Sequence, residues 1–164
     1  MNAADVLTQL ADRAQIGELL SRFCSYIDDQ KFTAAAAEAI FTRDGRYMRP
    51  NGAAAVGPQA IASEAARSFR RFRATHHVTT DPIIDLEGDT ARLRANMTAM
   101  HLWAEEESDP RSLQTYFVAG GVFEAVAVRT ADGWRFKELK SRITWRTGAG
   151  ISAVAGTAMA GRQQ

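Results

Sequence analysis

The sequence predicts an α+β domain in which helices come first and a strongly curved antiparallel sheet follows. Three observations lead there. Apolar residues in the first third recur at helical spacing, at Ile16, Leu19, Leu20, Phe23 and Ile27. Residues 91–99 alternate strictly instead, with Ala91, Leu93, Ala95, Met97 and Ala99 on one face and Arg92, Arg94, Asn96 and Thr98 on the other. The turn signals "EGDT" and "ADGW" divide the second half into consecutive strands. Helices that precede the strands, rather than alternate with them, give α+β order, with the helices on the concave face.

The elements follow in sequence. Asp12 can cap the first helix, whose pattern ends at "DDQKF". "TAAAAEAIF" is a second, short helix that stops at the turn signal "TRDG", and "GRYMRP" reads as the first short strand. "GPQAIASEAARSFRRF" opens with Gly-Pro and carries Ile61, Ala65, Phe69 and Phe72 on one face of a third helix. "HHVTTDPIIDLE" is the next strand-like run, followed by the alternating 91–103 strand. "SLQTYFVAGGVFEAVAVRT" is a long strand with a bulge expected at Gly120-Gly121, and "WRFKELKSRITW" closes the sheet. The remainder, rich in small residues, is a mobile tail or a lid.

Composition removes several function classes. At 164 residues the length fits one domain. A net charge of +1 gives no global field for nucleic acid or an anionic membrane. The N-terminus lacks the basic end and apolar core of a signal peptide, and no apolar run reaches the ~20 residues that span a bilayer. A cytoplasmic location is expected. The lone Cys24 sits among apolar helical neighbours and reads as a small buried hydrophobe. No H-x-H or H-E-x-x-H spacing and no phosphate loop exists, so neither metal nor cofactor is expected.

The chain holds three histidines, at positions 76, 77 and 101. Alternation puts His101 on the apolar face with three alanines, which leave room for a cavity. His76 and His77 point to opposite faces of their strand, so at most one reaches that interior. Asp28 and Asp29 lie where the first helix frays, and periodicity does not choose between them. An interior aspartate beside an interior histidine would form a general-base dyad.

With these residues in place, the chain resembles a known family. "LLSRFCSYIDDQKF", "FTRDGRY", "GPQAI", "THHV" and "DGWRFKELKSRITW" are similar to the SnoaL-like branch of the nuclear-transport-factor-2-like fold, from about residue 8 to 146. Within it the motifs most resemble scytalone dehydratases and bile-acid 7α-dehydratases. The resemblance implies a cone-shaped barrel wrapped around the N-terminal helices, with residues 1–146 as the domain and 147–164 as tail or lid. It places His77 as general base, Asp28 as its support, His101 as acid toward a departing hydroxyl and Tyr47 as the group that holds a carbonyl oxygen. Substrate contacts are expected from Phe23, Tyr26, Met97, Tyr116 and Glu124. Ile27 and the Val122/Glu124 region depart from the scytalone pattern, so scytalone itself is not the expected substrate.

The expected function is therefore cofactor-independent dehydration, isomerisation or cyclisation of a cyclic, ketone-bearing small molecule. The rival is a non-catalytic binding module of the same shape. An epoxide hydrolase of the limonene type needs an Asp-Arg-Asp arrangement where this central strand offers alanine and methionine. The basic run "RSFRRFR" is either a solvated helix end or a dock for an anionic substrate tail. Apolar positions on the outer sheet face, Met100, Leu102, Val126 and Val128, lead to the expectation of a homodimer.

Overall fold

Helix α1 spans Ala3–Asp28. Its start is a reciprocal cap: the Asn2 side chain accepts the Asp5 N–H, and the Asp5 carboxylate accepts the Asn2 N–H. Asp12 is not the cap. It lies one turn before Ile16 on the buried stripe, so its charge needs partners. Arg129 donates two hydrogen bonds to it, at 2.9 and 2.7 Å, and Trp134 Nε1 a third at 2.9 Å. At the other end Gln30 takes φ 54°, and its side-chain amide donates to the Phe72 carbonyl. This computed structural model describes residues 2–80, 82–104, 115–151 and 154. The expected strand start at Ser112–Gln114 and most of the 147–164 tail lie outside them. No helix among the described residues is long and apolar enough to cross a membrane.

Helix α2 (Ala34–Glu38) is capped by Thr33. Strand β1 spans Phe41–Met48 and absorbs the "TRDG" that reads as a turn. The register slips between Phe41 and Arg46. Gly45 makes that slip feasible, because a Cβ there would meet the Phe41 side chain at 2.9 Å and the Phe136 carbonyl at 3.0 Å. Strand β2 (Ala54–Val56) is a short addition that the sequence did not signal. Helix α3 (Pro58–Phe69) ends before Phe72, which opens strand β3 (Phe72–Thr79).

The "HHVTTDPIIDLE" run is two strands, since Pro82 has no N–H for a ladder. Strand β3 and strand β4 (Ile83–Glu87) each pair antiparallel with a different half of β5 (Thr90–Trp103). Strands β6 (Tyr116–Thr130) and β7 (Gly133–Gly148) complete the order β2-β1-β7-β6-β5-β3. The β1–β7 pair is parallel, so the curved sheet is mixed, and it stays open. Helices on the concave face of this sheet form the α+β, nuclear-transport-factor-2-like fold.

The break at Gly120-Gly121 exists, but the extra residue is Thr144 on β7: Gly120 pairs with Trp145 and Gly121 with Ile143. The glycines are needed there. A Cβ on Gly120 would strike the Trp145 indole at 2.2 Å, and one on Gly121 the Arg142 carbonyl at 2.3 Å. The core centres on fully buried Phe23, whose ring meets Phe32, Phe41, Tyr47 and Phe123 edge-on. A second cluster of Phe72, Phe117 and Ala119 lies beyond it.

Candidate active site

A cavity of about 270 Å³ opens between the two clusters. Inward-facing strand residues lie in cross-strand rows, of which His77, His101, Phe117, Ala119 and Arg146 line the cavity. One row is Thr75, His101, Phe117 and Gly148; the next is His77, Ala99, Ala119 and Arg146. Alternation carries His77 inward, while His76 is exposed on the outer face.

The last turn of α1 delivers Asp28 to this wall, and Asp29 is left exposed as the C-cap. Asp28 Oδ1 lies 2.6 Å from His77 Nδ1 and accepts the Thr75 hydroxyl at 2.8 Å. Oδ2 accepts the His77 backbone N–H at 2.8 Å. The His77 side chain is 5% exposed and Asp28 17%. Burial alone would raise the Asp28 carboxyl, but the hydrogen bonds from His77 and Thr75 hold it below the usual range. A carboxylate on Nδ1 favours the tautomer with its proton there and the lone pair on Nε2. That arrangement is what a general base requires.

His101 stacks on Phe117 at 4.4 Å and 3°, with Phe72 edge-on at 4.9 Å. Its ring centroid is 5.5 Å from that of His77. Among the described residues, no hydrogen-bond partner reaches its buried Nδ1. Burial, and secondarily the neighbouring His77, push its pKa down to about 3. The acid role expected of His101 needs an imidazolium, and this ring is neutral at ordinary pH. It can serve as a neutral hydrogen-bonding group.

Tyr47 reaches the cavity from β1 and shares a 3.0 Å hydrogen bond with Ser141 of β7. Burial raises the phenol above its usual pKa, so the pair holds neutral hydroxyls. Cys24 is buried, and desolvation with the Asp28 charge pushes its thiol up to about 12. It is inert packing.

Of the expected substrate contacts, Met97 lines the cavity. The other four do not. Phe23 is sealed beneath Tyr47 in the core. Tyr26 packs on Phe32 outside the cavity. Tyr116 and Glu124 alternate outward from Phe117 and Phe123, and Glu124 faces Lys140 and Arg142 at 3.9 and 3.6 Å. Of the basic run, Arg67 pairs with Glu64, and Arg71 borders the cavity.

Thr75, Ser141 and Arg146 were not foreseen. Thr75 was within reach, since it lies two residues before His77 and shares its face. Among the described residues, no group of three or more His, Cys, Asp or Glu is placed to hold a metal ion.

The chain has the nuclear-transport-factor-2-like fold, with a carboxylate–imidazole pair at its cavity. The chain belongs to the SnoaL-like domain family, which matches residues 8–140. Among solved structures it is similar to the Kfla4162 protein from Kribbella flavida, with 26% identity and TM-score 0.78 over 88% of this chain and 99% of that one. A protein described as a scytalone dehydratase from Novosphingobium aromaticivorans shares 20% identity, TM-score 0.72, over 87% and 91%. A type 2 hexachlorocyclohexane dehydrochlorinase, LinA, shares 19%, TM-score 0.74, over 88% and 94%. No curated protein is matched by the sequence.

Proposed function

We propose that this chain is a cofactor-independent lyase or isomerase that removes a proton α to a carbonyl in a cyclic, ketone-bearing small molecule. The carrying observation is the 2.6 Å contact between Asp28 and a His77 ring that lines the cavity. His77 Nε2 takes the proton. Asp28 fixes the tautomer and stabilises the imidazolium. The Tyr47–Ser141 pair has one hydroxyl proton beyond the bond they share, and it is offered to the enolate oxygen. In a dehydration the C–O bond to the β-hydroxyl breaks, and the proton held by His77 leaves with it as water. Neutral His101 hydrogen-bonds the departing oxygen. Relatives described as a dehydratase and a dehydrochlorinase support the elimination chemistry by likeness of fold.

The test begins with a thermal-shift screen of cyclic ketols and aromatic polyketide-like compounds. Ligands found are then incubated with enzyme and followed by mass spectrometry for loss of water or an isomer. The His77→Ala variant should keep its fold and lose about 10²–10⁴ in kcat. Unchanged turnover in that variant rules out the mechanism. Binding without turnover in the wild type leaves a binding module of the same shape.

A further inference from the structure

The second inward row, from His77 across Ala99 and Ala119 to Arg146, holds a general base at one end and a guanidinium at the other. Of the two alanines between them, Ala119 lines the cavity and Ala99 is fully buried, and neither side chain is large enough to fill the space between the two ends. Arg146 reaches this row because the extra residue Thr144 reverses the strand's alternation. Ser141 and Ile143 line the cavity, Trp145 turns out to solvent, and Arg146 turns in.

Arg146 is half-buried, and among the described residues no hydrogen bond or ion pair reaches its guanidinium. Arg49, by contrast, is held by Ser68 at 2.8 Å and Glu64 at 3.1 Å. No aspartate or glutamate lines the cavity among the described residues, while Arg49, Arg71 and Arg146 all do. Asp28 stands behind His77 with its oxygens already engaged. A partly desolvated cation without a counter-charge is costly, and a planar guanidinium matches a carboxylate in bidentate fashion.

We propose that the substrate is an acid whose carboxylate binds Arg146, while its body lies over Ala119 and its enolisable carbon meets His77. This rests on the general-base reading of the same cavity. Three strand spacings of roughly 4.8 Å, measured along the curved sheet, lie between the two backbones, and both side chains line the one cavity, so a ring with a carboxylate on one side and the acidic carbon on the other is the shape that meets both groups.

The experiment measures binding by calorimetry for matched pairs, 4-oxocyclohexanecarboxylate and 4-acetylbenzoate, each against its methyl ester. In the wild type at least one acid should bind ~10-fold or more tightly than its ester, and the preference should shrink with added salt. Arg146→Met should abolish the preference, and Arg146→Lys should restore part of it, with fold checked by circular dichroism. If neither acid outbinds its ester, whether by equal affinity or by no binding, the proposal is overturned. It is equally overturned if the preference survives Arg146→Met. His77→Ala should leave the acid preference intact while removing turnover, so the failure of one reading is separable from the failure of the other.

Discussion

Replacing His101 with phenylalanine should make the protein less sensitive to mild acid. His101 has an ordinary pKa of 6.5 in an unfolded chain and about 3 in the fold, chiefly because burial disfavours its cation. The native state therefore binds fewer protons than the unfolded state between those values. The stability that neutral His101 allows is fully present above about pH 6.5 and is lost as pH falls toward 3. Each unit of difference corresponds to roughly 1.4 kcal/mol, so lowering the pH to about 5 should cost the wild type roughly 2 kcal/mol through this residue. For a domain of this size that is a fall in Tm of about 4–8 °C. Phenylalanine keeps the stack on Phe117 and cannot titrate. Urea melts of both proteins at pH 7.5 and 5 give the effect by difference. Parallel losses of stability would refute the reasoning and would return His101 to candidacy as a protonated acid.

Asp28→Asn keeps the shape beside His77 and removes the charge that supports the imidazolium. Two charges about 4 Å apart at an effective dielectric near 20 interact by roughly 4 kcal/mol, so kcat should fall about 10³-fold with KM little changed. Asp12→Ala should cost about 2–3 kcal/mol in a denaturant melt, since buried Trp134 Nε1 loses its acceptor and Arg129 is left, among the described residues, with the exposed Asp89 alone. Light scattering at micromolar concentration should give a dimer mass, because Val78, Met100 and Trp145 stand exposed on the outer face of the sheet. A monomer mass contradicts that expectation.

Much of this fold is legible wherever alternation is unbroken. The face of β5 follows from its residue types, and with it the inward position of His101. Legibility fails where the chain departs from its period. Arg146 is hidden because a bulge reverses the parity of β7, and counting from Ser141 would have sent Trp145 inward. The "TRDG" turn signal misleads because Gly45 serves a strand irregularity. The choice between Asp28 and Asp29 lies outside periodicity altogether; it is made by Thr75 and the His77 backbone, which come from a strand 47 and 49 residues further along. Glu124, expected at the substrate, stands on the outer face because it follows inward-facing Phe123, and one residue changes the face.

The stretch of helix α1 from Asp12 to Asp28 works as a strut with a different load at each end. Asp12 is fastened to the β6–β7 hairpin, and Asp28 meets the imidazole it supports. The two carboxylates stand roughly 24 Å apart along the axis, at about 1.5 Å per residue. Tilting such a strut about its anchored end by only about 2–3° would carry the far carboxylate some ~1 Å, enough in other enzymes to cost about 10²-fold in rate. Hydrogen bonds at the near end resist that swing, but the straightness and seating of the whole rod set where they must pull. Under the proposed general-base function, the demand for exact placement therefore extends along the helix from Asp12 to Asp28, to residues that never approach a substrate.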